Sequence, residues 1–283
     1  MPKSLRLRAA LPLCAALLVS SLVSTLAMPE ALAGPWTKDS GDYYVKVGES
    51  AYQANAFRTP EGFLVTGVDY FSATTYLYAE LGLLDGVHLQ TYVPLTYARN
   101  RFGSQSYSDF GPGDMNLAIQ ASPLNLKVPT SVRLEAKLPL YGRPPGDLTP
   151  ARGDQQVDLT LWLSAGGGHH DLGVYFYADV GYQHRSAWTF DGTEVGDFSD
   201  GLVTMAQVGY NLFDTATVAL TSSAVFPLSD DRISKSYLTV GPSIFVPLTE
   251  RIALEADGYL TPFSRNSAAG WAVGLGVSVR SPD

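Results

Sequence analysis

The sequence predicts an all-β chain that closes into a transmembrane, up-and-down antiparallel β-barrel of about 12 strands with both termini on the periplasmic side. Three observations carry that expectation. Beyond Gly34 no apolar run approaches the roughly 20 residues that a membrane helix needs. Segments of about ten residues instead alternate apolar and polar side chains with period two. Short and long connections also alternate with strand number, the asymmetry of turns and loops that outer-membrane barrels show.

At the amino end, Lys3, Arg6 and Arg8 precede an apolar run from Ala9 to Leu26, and Ala31-Leu32-Ala33 offers a small-residue cleavage step before Gly34. Residues 1–33 therefore read as a secretory signal peptide, cleaved after Ala33. A lipoprotein signal would need a small residue before Cys14, where Leu13 stands. Cys14 is the only cysteine of the 283 residues, so the processed chain has neither disulfides nor cysteine-based chemistry. The formal net charge of -8 opposes a nucleic-acid partner, which needs clustered Lys and Arg to neutralise phosphate. Residues 34–42 read as a short periplasmic lead-in with Trp36 near the membrane interface, too short to form a plug domain. Residues 43–283 make the single barrel domain.

Strands are expected near 43–53, 70–83, 87–98, 113–122, 130–141, 155–165, 171–186, 201–212, 215–227, 236–248, 251–263 and 268–280. In the fifth, Val132, Leu134, Ala136 and Leu138 oppose Arg133, Glu135 and Lys137, because successive strand side chains point to opposite faces. In the eighth, Leu202, Thr204, Ala206, Val208 and Tyr210 oppose Val203, Met205, Gln207 and Gly209; in the twelfth, Trp271, Val273, Leu275 and Val277 oppose small residues. A soluble sandwich would alternate too, so the connections must decide between the architectures. After even strands they are short: Leu84-Asp85-Gly86, Pro123 to Lys127, Gly166 to His170, Phe213-Asp214 and Thr249-Glu250. After odd strands they run from Ala54 to Asp69, Arg99 to Pro112, Gly142 to Asp154, Ala187 to Asp200 and Leu228 to Lys235, with Ser264 to Ser267 the short exception. Tyr97 and Tyr182 should face outward near the outer rim, and Tyr210 near the periplasmic rim. Pro94, Pro139, Pro227 and Pro262 fall near strand ends, where a residue without an N–H belongs at a rim, a bulge or a local opening.

The run Gly111-Pro112-Gly113-Asp114-Met115-Asn116-Leu117, then Leu134 to Leu140 with Lys137-Leu138-Pro139, then Asp158-Leu159-Thr160-Leu161-Trp162, resembles a bacterial family named for the meta-cleavage pathway of phenol degradation. That resemblance implies an outer-membrane barrel of Gram-negative bacteria with a transport role.

By parity the lumen receives Tyr76, Tyr78, Glu80, His88, Gln90, Tyr92, Arg133, Glu135, Lys137, Asp158, Trp162, Tyr177, Asp179, Glu255 and Asp257, together with Lys46, Asp114, Asn116, Tyr175, Arg185 and Tyr259. Mixed charges suit hydrophilic solutes and aromatic rings can stack on flat ones, so the expected function is passive diffusion of small solutes, aromatic or hydrophobic compounds among them. The alternative is that these charges pair across strands and plug the barrel, leaving a structural or surface-binding protein. A barrel lipid hydrolase would need a serine and an acid in register with one of the four histidines, and only His184 with Ser186 at the outer rim comes near that. The acidic loop of Asp191, Glu194, Asp197 and Asp200 lacks an EF-hand order and reads as solvated. The expected partners are outer-membrane lipid, the assembly machinery that inserts barrels and a small solute; no cofactor, metal or catalytic residue is expected.

Overall fold

The computed structural model describes residues 34–123, 127–142, 149–191, 193–212, 215–229 and 233–282. The expected signal peptide and its cleavage step after Ala33 lie outside the described residues, as does the turn Phe213-Asp214.

Fifteen strands form: β1 (Tyr43–Arg58), β2 (Leu64–Leu84), β3 (Val87–Phe102), β4 (Gln105–Pro112), β5 (Asp114–Ala121), β6 (Thr130–Pro139), β7 (Asp158–His169), β8 (Val174–Arg185), β9 (Trp188–Phe190), β10 (Thr193–Gly196), β11 (Gly201–Leu212), β12 (Ala216–Pro227), β13 (Ser236–Pro247), β14 (Ile252–Arg265) and β15 (Ser267–Arg280). β9 and β10 make a small separate hairpin. The others pair antiparallel around a ring, and β1 closes it by pairing β15 from Tyr44 opposite Arg280 to Arg58 opposite Ser267. Since β4 and β5 are successive parts of one path, the wall is a closed barrel of twelve antiparallel strands. Closure satisfies the backbone N–H and C=O groups in a ladder with no free edge, the condition for standing in hydrocarbon.

The strand faces follow the predicted parity. Along β7, Leu159, Leu161 and Leu163 are exposed, whereas Asp158, Thr160, Trp162 and Ser164 are buried. Leu134, Phe176, Val180, Val208, Leu220, Leu254, Val273 and Leu275 continue the exposed apolar belt around the ring. In water that belt would be costly; in a bilayer it is the favoured surface. Tyr97, Tyr182 and Tyr210 also stand outward.

Three departures from the expected layout matter. The first two long connections are largely wall: β1 and β2 extend to a tight turn at residues 59–63, and β3 continues past residue 98 to pair β4 across the turn at 103–104. Their Gly, Ser and Asn content reads as loop, but the strand ladder overrides it. Pro94 lies well inside β3, where the partner strand breaks: Tyr92 pairs Asn116 of β5 and Leu95 pairs Pro112 of β4. Gly113 at the break has no room for a side chain, since a Cβ there would lie 2.6 Å from the Arg152 carbonyl oxygen. Pro262, by contrast, occupies a bulge as expected, for one residue of β13 opposes two of β14 between Leu238–Phe263 and Val240–Leu260. Finally, β7 starts at Asp158 and not at residue 155, because the preceding segment turns into the barrel.

Candidate functional site

The lumen is built from the inward rows of the strands and from three inserted segments, the connections that carry Asp154 and Lys235 and the lead-in that carries Trp36. Of the side chains expected there, Tyr76, Tyr78, Glu80, His88, Gln90, Tyr92, Arg133, Glu135, Lys137, Asp158, Trp162, Tyr177, Asp179 and Glu255 are buried on the inward rows, as are Lys46, Asp114 and Arg185, and Asp257 is partly exposed at the wall of an internal chamber.

Nearest the short turns is a hydrogen-bonded layer. Lys46 Nζ lies 2.8 Å from Glu255, which also accepts from the Tyr44 hydroxyl. Tyr78 OH donates to Glu80 at 2.6 Å, and Gln90 links His88 at 2.6 Å to Gln120 at 3.2 Å. Arg133 stands 3.8 Å from Glu135 and 3.9 Å from Asp179, with its guanidinium 4.9 Å above the Trp162 ring. Each ion is thus matched by an opposite charge or by an aromatic face, as buried ions require.

Toward the long connections lies an ionic layer of Asp114, Asp154 and Asp158 against Lys137, Arg185 and Lys235. Lys137 Nζ reaches Asp158 at 2.6 Å, Asp154 at 3.0 Å and Asp114 at 3.7 Å. Asp154 also receives Arg185 at 3.2 Å and Lys235 at 2.7 Å. Three carboxylates thereby balance three cations. Burial opposes ionisation of Asp154, yet the Lys137, Lys235 and Arg185 charges hold its carboxyl well below the usual carboxylate range. Asp154 and Lys235 belong to connections, not strands, so this layer folds two loops into the mouth. Its backbone anchors are the Asp154 N–H, which donates to Asp114 at 2.7 Å, and the Gly153 carbonyl, which accepts from Tyr141 OH at 2.6 Å.

Between the layers is a chamber of about 180 Å³. Tyr52, Tyr76, Tyr92, Trp162, Met205 and Tyr259 supply its rings and thioether, and Thr74, Thr96, Thr160 and Ser223 its hydroxyls. Met205, Arg152, Asp154, Lys235 and Gln120 are site residues that were not singled out from the sequence. Strand parity was signal enough for Met205 and Gln120. Nothing local marks Arg152, Asp154 or Lys235, because loops have no parity.

The lead-in departs most from expectation. The Trp36 ring remains partly exposed and packs edge-on against Tyr177 at 5.9 Å and Tyr175 at 6.3 Å, on the inward row of β8. His184 and Ser186 do not form a catalytic pair: His184 Nδ1 is 2.9 Å from Asp200, whereas Ser186 Oγ accepts from the Val157 N–H at 3.0 Å. Asp200 is likewise committed, accepting from Tyr182 OH, whose hydrogen bond holds its carboxyl below the ordinary range.

A closed twelve-strand ring with an apolar exterior and a polar, aromatic-lined interior defines the outer-membrane β-barrel class, and its belt places the chain in that membrane. Comparison with solved structures agrees. The chain is similar to an outer membrane channel from Pseudomonas putida F1, with TM-score 0.69 and 11% identity over 90% of this chain and 100% of that one. It is similar to the NanC porin, with TM-score 0.54 and 10% identity over 83% of this chain and 98% of that one. The translocator domain of the autotransporter NalP from Neisseria meningitidis follows, with TM-score 0.53 and 10% identity over 86% of this chain and 90% of that one. No family model and no curated protein sequence matches the chain. At these identities the likeness establishes the fold.

Proposed function

We propose that the chain is a narrow outer-membrane channel for small solutes of hydrophobic or aromatic character, which pass by diffusion along the barrel axis. One observation carries the reading: the lumen holds a ring-lined chamber where a merely structural barrel would pack side chains solid. Its volume of about 180 Å³ suits a single-ring compound, since an apolar cavity of about 150 Å³ admits benzene. Tyr76, Tyr92 and Trp162 would stack on such a solute, and the wall hydroxyls would bond its polar substituent. Tyr78, Glu80, His88, Gln90, Arg133, Glu135, Lys137, Asp158, Tyr177, Asp179, Glu255 and Asp257 would line the path on either side. In this reading residues 1–33 are removed on export and the short turns face the periplasm.

The test is single-channel recording of the refolded chain from Gly34 onward in a planar bilayer, repeated with Arg133→Ala and Glu135→Ala together. Discrete openings whose size or ion selectivity shifts in the variant are expected. The opposing reading, a barrel plugged by its own ion pairs, is favoured by the balanced layer around Asp154. A folded, heat-modifiable barrel that never opens would establish it and overturn the channel.

A further inference from the structure

We infer that Gly34–Ser40 is a gating strap, a segment that lies across the short-turn mouth of the lumen and must swing aside for solute to pass; this rests on the channel reading above.

The strap crosses the whole mouth. It leaves β1 beside the end of β2, where Gly41 N–H donates to the Gly82 carbonyl at 3.0 Å and Gly82 N–H to the Asp42 carbonyl at 2.7 Å. Next, Lys38 pairs with Glu80 at 3.5 Å, and its backbone N–H points to His88 Nδ1 at 3.4 Å. The strap then passes β5, where Gln120 Nε2 donates to the carbonyls of Gly34 at 2.7 Å and Trp36 at 3.3 Å, and Ser122 Oγ donates to Pro35 at 3.2 Å. Trp36 ends against Tyr175 and Tyr177 of β8. In the ring order, β8 stands six strands from β1 in either direction, so the strap runs from one side of the ring to the opposite side. Seven extended residues span at most about 25 Å, enough for such a crossing.

The wall is shaped to receive it. Gly82 is in the inward row of β2, and a Cβ there would lie 1.8 Å from the Asp39 carbonyl oxygen, so any side chain would push the strap away. The strap is also held differently from the wall. Apart from the turn in which Asp42 N–H donates to the Asp39 carbonyl at 3.1 Å, the strap's bonds go to side chains and not into a strand ladder, and the Lys38–Glu80 ion pair secures its middle. A segment tied this way opens locally without disturbing the barrel. It covers the path through the aromatic chamber.

The chain offers a direct test. Thr37 Oγ1 and Ser122 Oγ lie 3.4 Å apart, and the only native cysteine, Cys14, precedes the segment to be refolded. The Thr37→Cys, Ser122→Cys double variant, refolded from residue 34, would be recorded in a planar bilayer oxidised and then after dithiothreitol. Loss of openings on oxidation, restored on reduction, is expected. Gly82→Val should raise the open fraction severalfold without any disulfide. If oxidised, reduced and Gly82→Val barrels conduct alike, the strap is not a gate while the channel stands. If none of them conducts although each is folded, the channel reading fails and gating falls with it. Ser122→Cys alone, probed with a membrane-impermeant maleimide, gives a readout independent of conductance: labelling faster when Gly82→Val is added than without it is expected, and equal rates would count against the strap.

Discussion

Asp154→Asn should unlock the inner loop. The carboxylate meets Lys137 at 3.0 Å, Arg185 at 3.2 Å and Lys235 at 2.7 Å, but the three cations depend on it unequally. Lys137 keeps Asp158 and Asp114, and Arg185 keeps Asp158 at 3.5 Å, whereas Lys235 has its ion pair with Asp154 alone among the described residues. The cost is therefore that of one buried, uncompensated ammonium, about 3–5 kcal/mol. At 1.4 kcal/mol per decade that is about two to three and a half decades in the loop-opening equilibrium. The assay is hydrogen exchange at the residue 154 amide, which donates to Asp114 and is retained by asparagine. Lys235→Met in the same background should restore most of the protection, because the stranded charge is gone. In the parent, the folded carboxyl lies below its unfolded value. The contribution is thus complete above about pH 4 and is lost only as pH falls through the depressed folded value. Exchange that rises less than tenfold in Asp154→Asn, or that Lys235→Met leaves unrepaired, would refute the assignment of this carboxylate as the loop's anchor.

Three further outcomes are expected. Leu163→Arg, on the exposed row of β7, should cost about 2–4 kcal/mol in urea unfolding from vesicles if it lies near the bilayer midplane; an unchanged midpoint would mean that this row does not face lipid. Trp162→Ala removes the ring beneath Arg133 and opens the chamber wall, so single-channel conductance should rise; a fall, with the fold intact, would take Trp162 off the path. His184→Ala should leave phospholipid turnover by the refolded barrel at background, with both parent and variant indistinguishable from empty vesicles. Turnover in the parent that disappears in the variant would restore the hydrolase reading.

Much of the barrel is legible in its residues. Leu159, Leu161 and Leu163 against Asp158, Thr160 and Trp162 specify both a strand and which side faces lipid, since a one-residue slip would reverse every side chain. Parity also placed Arg133, Glu135, Lys137, Asp179 and Glu255 inward without reference to any partner. Strand ends were harder to place. Residues 99–112 carry the polar, glycine-containing composition of a loop, yet β3 and β4 pair through most of them, because ladder hydrogen bonds outweigh local preference.

Period-two patterning is a property of each strand taken alone and determined the chemistry of the inner wall; together with the alternation of short and long connections it determined the barrel and its strand number. What fills the lumen was decided only by tertiary structure. Asp154, Lys235 and Trp36 sit in segments without a repeating face, so nothing local says whether they point to water or into the mouth. They fold inward because the wall presents complementary groups there: Lys137 and Arg185 for the carboxylate, Tyr175 and Tyr177 for the indole, Gln120 and Ser122 for the strap's carbonyls. Those groups come from strands far apart in the chain, and only closure of the ring brings them together around one axis.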